Sequence, residues 1–363
     1  MSNSMKGMSL ITLEEFSPEQ VQALLSQAIE LKRKKQARIF PRSLINRNFC
    51  LIFQRPSCRT RTAFAIAAAD EGALAHAMSP QEIRFGSGES VKDIARVLGR
   101  MFDGIAIRSY DTPLIEEVAE HAGVPVWNAL TEQHHPTQAL ADLMTLQENG
   151  IALPGAKMAY VGEGKANVVT SLMVAAAKLG VELRVVTPKG HHPEPSLVDR
   201  LLGWRHNSRA NIIVTSNMRE GLQGADAVYA DMWVPMEGDW DIAGMARDFH
   251  GYQINRQAMA MTENPRAIFL HCMPAQHNLE TAFARQHPYA IEATDEVFDG
   301  PLSRAIDQAE NRMHTIKARR CEGRSSLPVM SGWPAVHERL RGCTRERPDR
   351  SPGMTGRGRP AVG

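Results

Sequence analysis

Hydrophobic positions along this chain alternate between two textures. Short apolar runs at Phe49–Phe53, Ile105–Arg108, Val124–Trp127, Met158–Val161, Leu183–Thr187, Ile212–Thr215, Ala227–Ala230 and Ile268–His271 are separated by longer stretches, most with helical spacing. Short runs of this kind, set between helical patterns, predict buried parallel strands joined by crossover helices. The first helix opens at Ser17-Pro18-Glu19-Gln20, with Ser as N-cap, Pro at the first helical position and Gln20 closing a capping box. An apolar stripe of Val21, Leu24, Leu25 and Ala28 follows. No internal repeat is found, and the GIALPG stretch at 150–155 reads as a linker between two α/β halves of similar size. The fold class is α/β, with two doubly wound parallel-sheet domains. From about Arg320 the pattern gives way to Arg, Gly, Pro and Ser, which bury too little apolar surface to offset ordering entropy, so the tail is expected to be disordered.

Composition narrows the class. With 363 residues, 43% apolar and 23% charged, the chain is long enough for two ordinary domains and a sizeable core. No apolar stretch approaches the ~18 residues of a membrane span, and the start lacks a signal-peptide apolar core. Five scattered cysteines without zinc spacing fit a reducing cytoplasm. The formal charge of +2 is unevenly placed, since residues 318–363 hold ten Arg against four acids and the rest of the chain carries a net −4. The basic character belongs to the tail, which has no aromatic residue beyond Trp333, so no nucleic-acid partner is expected.

Ligands of open parallel sheets bind beyond the carboxyl ends of the strands, which directs attention to the residues just after each run. The first run leads into Arg55-Pro56-Ser57-Cys58-Arg59-Thr60-Arg61-Thr62 and then a helix, placing free backbone N–H groups, guanidiniums and hydroxyls where an anion binds. A plain N-cap followed by surface arginines is the blander reading. Arg108 ends another run and reads as a second cation in the crevice or as a surface ion pair. His135 and Gln138, one turn apart at a helix start, are placed to donate to one carbonyl oxygen, or serve only as a cap. The adjacent histidines His134-His135 lack carboxylate or thiolate partners for a metal. Val161-Gly162-Glu163-Gly164-Lys165-Ala166-Asn167 is a poor dinucleotide fingerprint, with Asn167 in place of the third glycine and no acid near Thr187, so an NAD-dependent dehydrogenase remains a remote alternative. Asp231 and His271-Cys272 follow strands in the second half, where each alone reads as a loop cap or inert packing.

Taken in order, SCRTR (57–61), ESVKDIARVLGRMFDGIAIR (89–108), HPTQ (135–138), HCMP (271–274), TDEVFDG (294–300) and DQAENRMHTIK (307–317) resemble the aspartate/ornithine carbamoyltransferase family, and the ornithine branch within it. The resemblance implies a carbamoyl phosphate-binding domain at 8–150, an amino-acid-binding domain at 151–300, a helix at 301–319 returning to the first domain, and the tail at 320–363. It implies transfer of a carbamoyl group from carbamoyl phosphate to ornithine, without metal or organic cofactor, in a homotrimer with interfacial sites. By the same resemblance, Ser57, Cys58, Arg59, Thr60, Arg84 and Arg108 bind the phosphate end. His135, Gln138, Cys272, Met273 and Arg312 surround the carbamoyl group, and Asn167, Asp231, Pro235 and Met236 contact the amino acid. Arg59, Arg108, His135 and Cys272 are the residues expected to act in catalysis.

Four departures from the family pattern stand out. Cys58 replaces a Thr. Arg84 and Ser87-Gly88 replace Gln and His-Lys in a loop whose IRFG wording is similar to the phaseolotoxin-insensitive branch. Pro235 replaces a Ser and so removes a hydroxyl and a backbone N–H. Ala166-Asn167 replaces a pair of Asn. These changes keep open a different amine, such as lysine or putrescine, or an impaired relative that only binds carbamoyl phosphate.

Overall fold

The computed structural model describes residues 5, 7–204, 209–234 and 240–318. Expectations for the 320–363 tail, Pro235 and Met236 lie outside the described residues. The first half runs α1 (Pro18–Gln36), β1 (Asn48–Phe53), α2 (Cys58–Asp70), β2 (Leu74–Met78), α3 (Val91–Met101), β3 (Gly104–Arg108), α4 (Thr112–Ala122), β4 (Val126–Leu130) and α5 (Pro136–Glu148). The second runs β5 (Lys157–Val161), α6 (Asn167–Leu179), β6 (Glu182–Val186), α7 (Pro195–Gly203), β7 (Asn211–Thr215), α8 (Met218–Leu222), β8 (Ala227–Ala230), α9 (Ile242–Asp248), α10 (Arg256–Ala260), β9 (Ile268–His271), α11 (Ala282–Gln286), α12 (Asp295–Phe298) and α13 (Ala305–Ala318). Among the described residues all the strand pairings are parallel, in the orders β2-β1-β3-β4 and β7-β6-β5-β8-β9.

The capping box at the start of α1 is present: Gln20 N donates to Ser17 Oγ, and Ser17 N donates to Gln20 Oε1. Two strand expectations change. Leu74–Met78 was not anticipated, because LAHAM is an exposed edge strand with no continuous apolar signal. The run expected at Val124–Trp127 is shifted to Val126–Leu130, taking in Asn128, whose Nδ2 is satisfied within the core by the carbonyl of Ile11 at 2.9 Å. A polar residue so paired is compatible with a strand interior.

Between the sheets lie α5 and α6. Residues 136–146 of α5 and 168–179 of α6 are buried on every side, the mark of helices covered all round. One apolar cluster runs from Leu51 of β1 through Leu140 and Met144 to Leu172, Leu183 and Leu270, so both halves share a core. Helix α13 leaves the second sheet and packs on α1, α2 and α5 of the first half. Gly99 of α3 permits another close approach: a Cβ there would lie 1.7 Å from the carbonyl oxygen of Ala122 at the end of α4. Gly99→Ala is therefore expected to lower stability by about 3 kcal/mol in denaturant unfolding, since the contact is backbone and cannot rotate away.

Candidate active site

Strand order reverses between β1 and β3 in the first sheet and between β5 and β8 in the second. The crevices at these reversals are opened by the loop after β1 and Arg108 in one half, and by the loop after β5 and Asp231 in the other.

At the first crevice, Ser57 is the N-cap of α2, but its side chain makes no capping bond, so its hydroxyl and the first amides of the helix are uncommitted within the helix. Cys58 and Arg59 are exposed, while Thr60 is buried. Arg312 of α13 enters here, 5% exposed, and its Nη2 donates to Thr60 Oγ1 at 2.7 Å. Burial lowers the Arg312 pKa to about 10, with Arg108 and Arg59 pressing in the same direction. Its Nε is buried without a hydrogen-bond partner. Three guanidiniums thus bear on one region with one donor group unsatisfied, a setting that calls for an anion.

His135 and Gln138 adjoin this region at the start of α5. His135 is buried, and burial first, then Arg312 and Arg108, hold its imidazole well below the usual histidine range, hence neutral at pH 7. Its backbone N–H donates to Ser171 Oγ of α6 at 2.7 Å, and Thr137 Oγ1 lies 3.4 Å from Nδ1. Gln138 Nε2 donates to Asp142 at 2.8 Å. Burial raises the Asp142 carboxyl to about 7, against the opposing pull of the amides of Gln308 and Gln138. Cys272 follows β9, and its thiol is pushed far above the ordinary value by burial and by the Asp231 and Asp142 carboxylates. It is a neutral S–H and no nucleophile at pH 7. Met273, half-buried, comes next.

From the second half, Asp231 Oδ2 accepts the Tyr160 hydroxyl at 3.0 Å and Oδ1 accepts the Met232 N–H at 2.9 Å. Burial pushes this carboxyl up to about 6. Asn167, the first residue of α6, donates from Nδ2 to the Thr131 carbonyl at 2.7 Å and so ties the halves together. Arg84 is exposed on the loop between β2 and α3. The glycine loop after β5 is shaped by the chain's own contacts: a Cβ on Gly164 would lie 2.3 Å from the His191 carbonyl oxygen, and Glu163 pairs with His191. This close approach accounts for Gly164 without a dinucleotide.

Sequence reasoning missed Asp142, Gln308 and Tyr160. The available signal for Asp142 was an acid one turn after Gln138 on the same helix, and Gln308 lies within the DQAENRMHTIK motif; Tyr160 had no local signal.

Comparison with known proteins places the chain among carbamoyltransferases. Residues 8–148 match the profile described as aspartate/ornithine carbamoyltransferase, carbamoyl-P binding domain, and residues 154–319 match the Asp/Orn binding domain. A phaseolotoxin-insensitive ornithine carbamoyltransferase 2 of Pseudomonas syringae pv. actinidiae is 43% identical over 315 residues, 87% of this chain and 96% of that protein. A catabolic ornithine carbamoyltransferase of Bacillus licheniformis is 41% identical over 320 residues, covering 87% of this chain and 96% of its own. The structure of ornithine carbamoyltransferase from Pyrococcus furiosus superposes with a TM-score of 0.78 at 34% identity, over 87% of this chain and 96% of that one.

The raised Asp231 carboxyl makes a stability prediction. Its native pKa of about 6 exceeds an unfolded value of about 4, so the unfolded chain loses this proton first and stability falls as pH rises through that window. The denaturation midpoint of Asp231→Asn, relative to the parent chain, should therefore shift in the variant's favour between pH 4 and pH 8.

Proposed function

The chain belongs to the aspartate/ornithine carbamoyltransferase family, and from that membership we propose that it transfers the carbamoyl group of carbamoyl phosphate to the side-chain amine of L-ornithine, giving L-citrulline and phosphate. The observation that carries the reading is the gathering of Arg59, Arg108 and Arg312 at the open start of α2, beside a neutral His135.

In this reading, Ser57, Arg59, Thr60 and the backbone N–H of Cys58 receive the phosphate, which makes the Thr-to-Cys change tolerable. Arg108, Arg312 and an N–H of neutral His135 stabilise negative charge growing on the carbamoyl oxygen. Gln138, Cys272 and Met273 line the carbamoyl group. The unprotonated amine nitrogen bonds to the carbamoyl carbon, the bond from that carbon to the phosphate oxygen breaks, and the nitrogen's proton leaves with phosphate. Asn167 and Asp231 hold the amino acid, together with Pro235 and Met236. No metal or organic cofactor takes part, because carbamoyl phosphate brings its own leaving group.

The functional unit in this reading is a cytoplasmic homotrimer in which a neighbouring copy lends Arg84. Exposed apolar residues support it: Leu74 on the free edge strand β2, and Val97 and Met101 one turn apart on α3. The ring of His76 on β2 lies 5.6 Å from that of Phe102, just after α3, which brings these elements side by side.

Steady-state turnover with carbamoyl phosphate and a panel of ornithine, lysine and putrescine tests the function. Ornithine should give the highest kcat/KM, and absence of citrulline would overturn the assignment. Arg108→Leu should lower kcat/KM by about 100-fold or more. Light scattering should return three times the 40.1 kDa chain mass; a monomer would remove the trimer.

A further inference from the structure

Gln138 shares its helix with a buried acceptor. Asp142, one turn along α5 at 0% exposure, accepts Gln138 Nε2 at 2.8 Å and Gln308 Nε2 at 2.6 Å, both on Oδ1. Gln308, on α13, accepts the His271 backbone N–H at Oε1, 2.9 Å away. A single carboxylate oxygen therefore ties the helix start carrying Gln138 to the returning helix and to the strand end that carries Cys272. The buried Tyr229 hydroxyl of β8 also bears on this carboxyl, acting with the two amides against the effect of burial.

Oδ1 accepts both in the ionised carboxylate and in the carboxylic acid protonated on Oδ2, so an amide bonded to Oδ1 must present its NH2. The planar amide of Gln138 then turns its oxygen the opposite way. An oxygen so turned accepts an N–H from a carbamoyl NH2, whereas the flipped amide would set NH2 against NH2. We propose that Asp142 is the positioning residue that fixes the amide of Gln138 with Oε1 toward the donor's NH2, and that Gln308 braces Asp142 for that task. The substrate consequence is selection of a carbamoyl over an acetyl group, because a methyl in place of NH2 leaves Gln138 Oε1 without its hydrogen bond.

The inference rests on the carbamoyl-transfer reading, which wild-type citrulline formation tests separately. Its own test compares kcat/KM for carbamoyl phosphate with the inhibition constant of acetyl phosphate, which carries the same phosphate and no NH2. Asp142→Ala should lower kcat/KM by about 10- to 100-fold, as loss of an orienting partner commonly does, and leave acetyl phosphate inhibition within about twofold. Asp142→Asn keeps the accepting oxygen and should restore kcat/KM to within about threefold of wild type. Gln308→Met, which removes no charge, should show the same split at about 3- to 10-fold. A wild-type profile for Gln308→Met would overturn the proposal even if Asp142→Ala failed to fold. So would parallel losses of carbamoyl phosphate turnover and acetyl phosphate binding, or an Asp142→Asn as impaired as Asp142→Ala.

Discussion

Arg312 carries a positive charge from the last described helix into the first turn of α2, and the arrangement of the first crevice follows from that placement. A buried cation is costly unless hydrogen bonds and counter-charge satisfy it. Here the Thr60 hydroxyl provides one bond, Nε has no partner, and the neighbouring charges of Arg59 and Arg108 have the same sign. The site is poised to accept negative charge, and the chain supplies little of it. A small dianionic acyl phosphate completes such a cluster better than a neutral or cationic ligand.

Holding a cation there requires α13 to be rigid. Lys32 of α1 donates to Asn311 at 2.8 Å and to Glu148 at 3.0 Å, and Asn311 donates in turn to Thr145 at 2.9 Å. Further along, Lys317 and Lys35 both contact Asp70 at the end of α2, and together they lower its pKa against the opposing effect of burial. These contacts lock the helix to α1, α2 and α5, so the same element that delivers Arg312 also delivers Gln308 to Asp142. Loop-closure entropy grows only slowly with length, which makes recruitment of so distant a segment affordable.

The second half is coupled to this cluster through polar bonds as well as a shared core. Asn167 reaches the Thr131 carbonyl and Ser171 takes the His135 backbone N–H, so a shift of α6 moves the residues that flank the imidazole. Asp231, whose pKa burial raises to about 6, would ionise more readily still beside an incoming ammonium, since an opposite charge favours the ionised form. Behind it, His271 and Glu292 form a fully buried pair at 3.1 Å, and Glu292 also accepts the Gln276 N–H, fixing the loop after Cys272.

How much of this was legible in the sequence depended on the range of the interaction. Strand β1, the capping box of α1 and the open start of α2 are written in neighbouring residues, because burial period, caps and helix-terminal N–H groups are local properties. Edge strand β2 left no trace, since an exposed strand needs no apolar run. The chain order by itself determined two α/β halves, the loops at the strand ends and, through its motifs, the family. Only the tertiary structure decided that Thr60 meets Arg312 across 252 residues and that Asp142 meets Gln308 across 166. Pairings at such separation are set by how helices pack on a common core, and no local pattern encodes them.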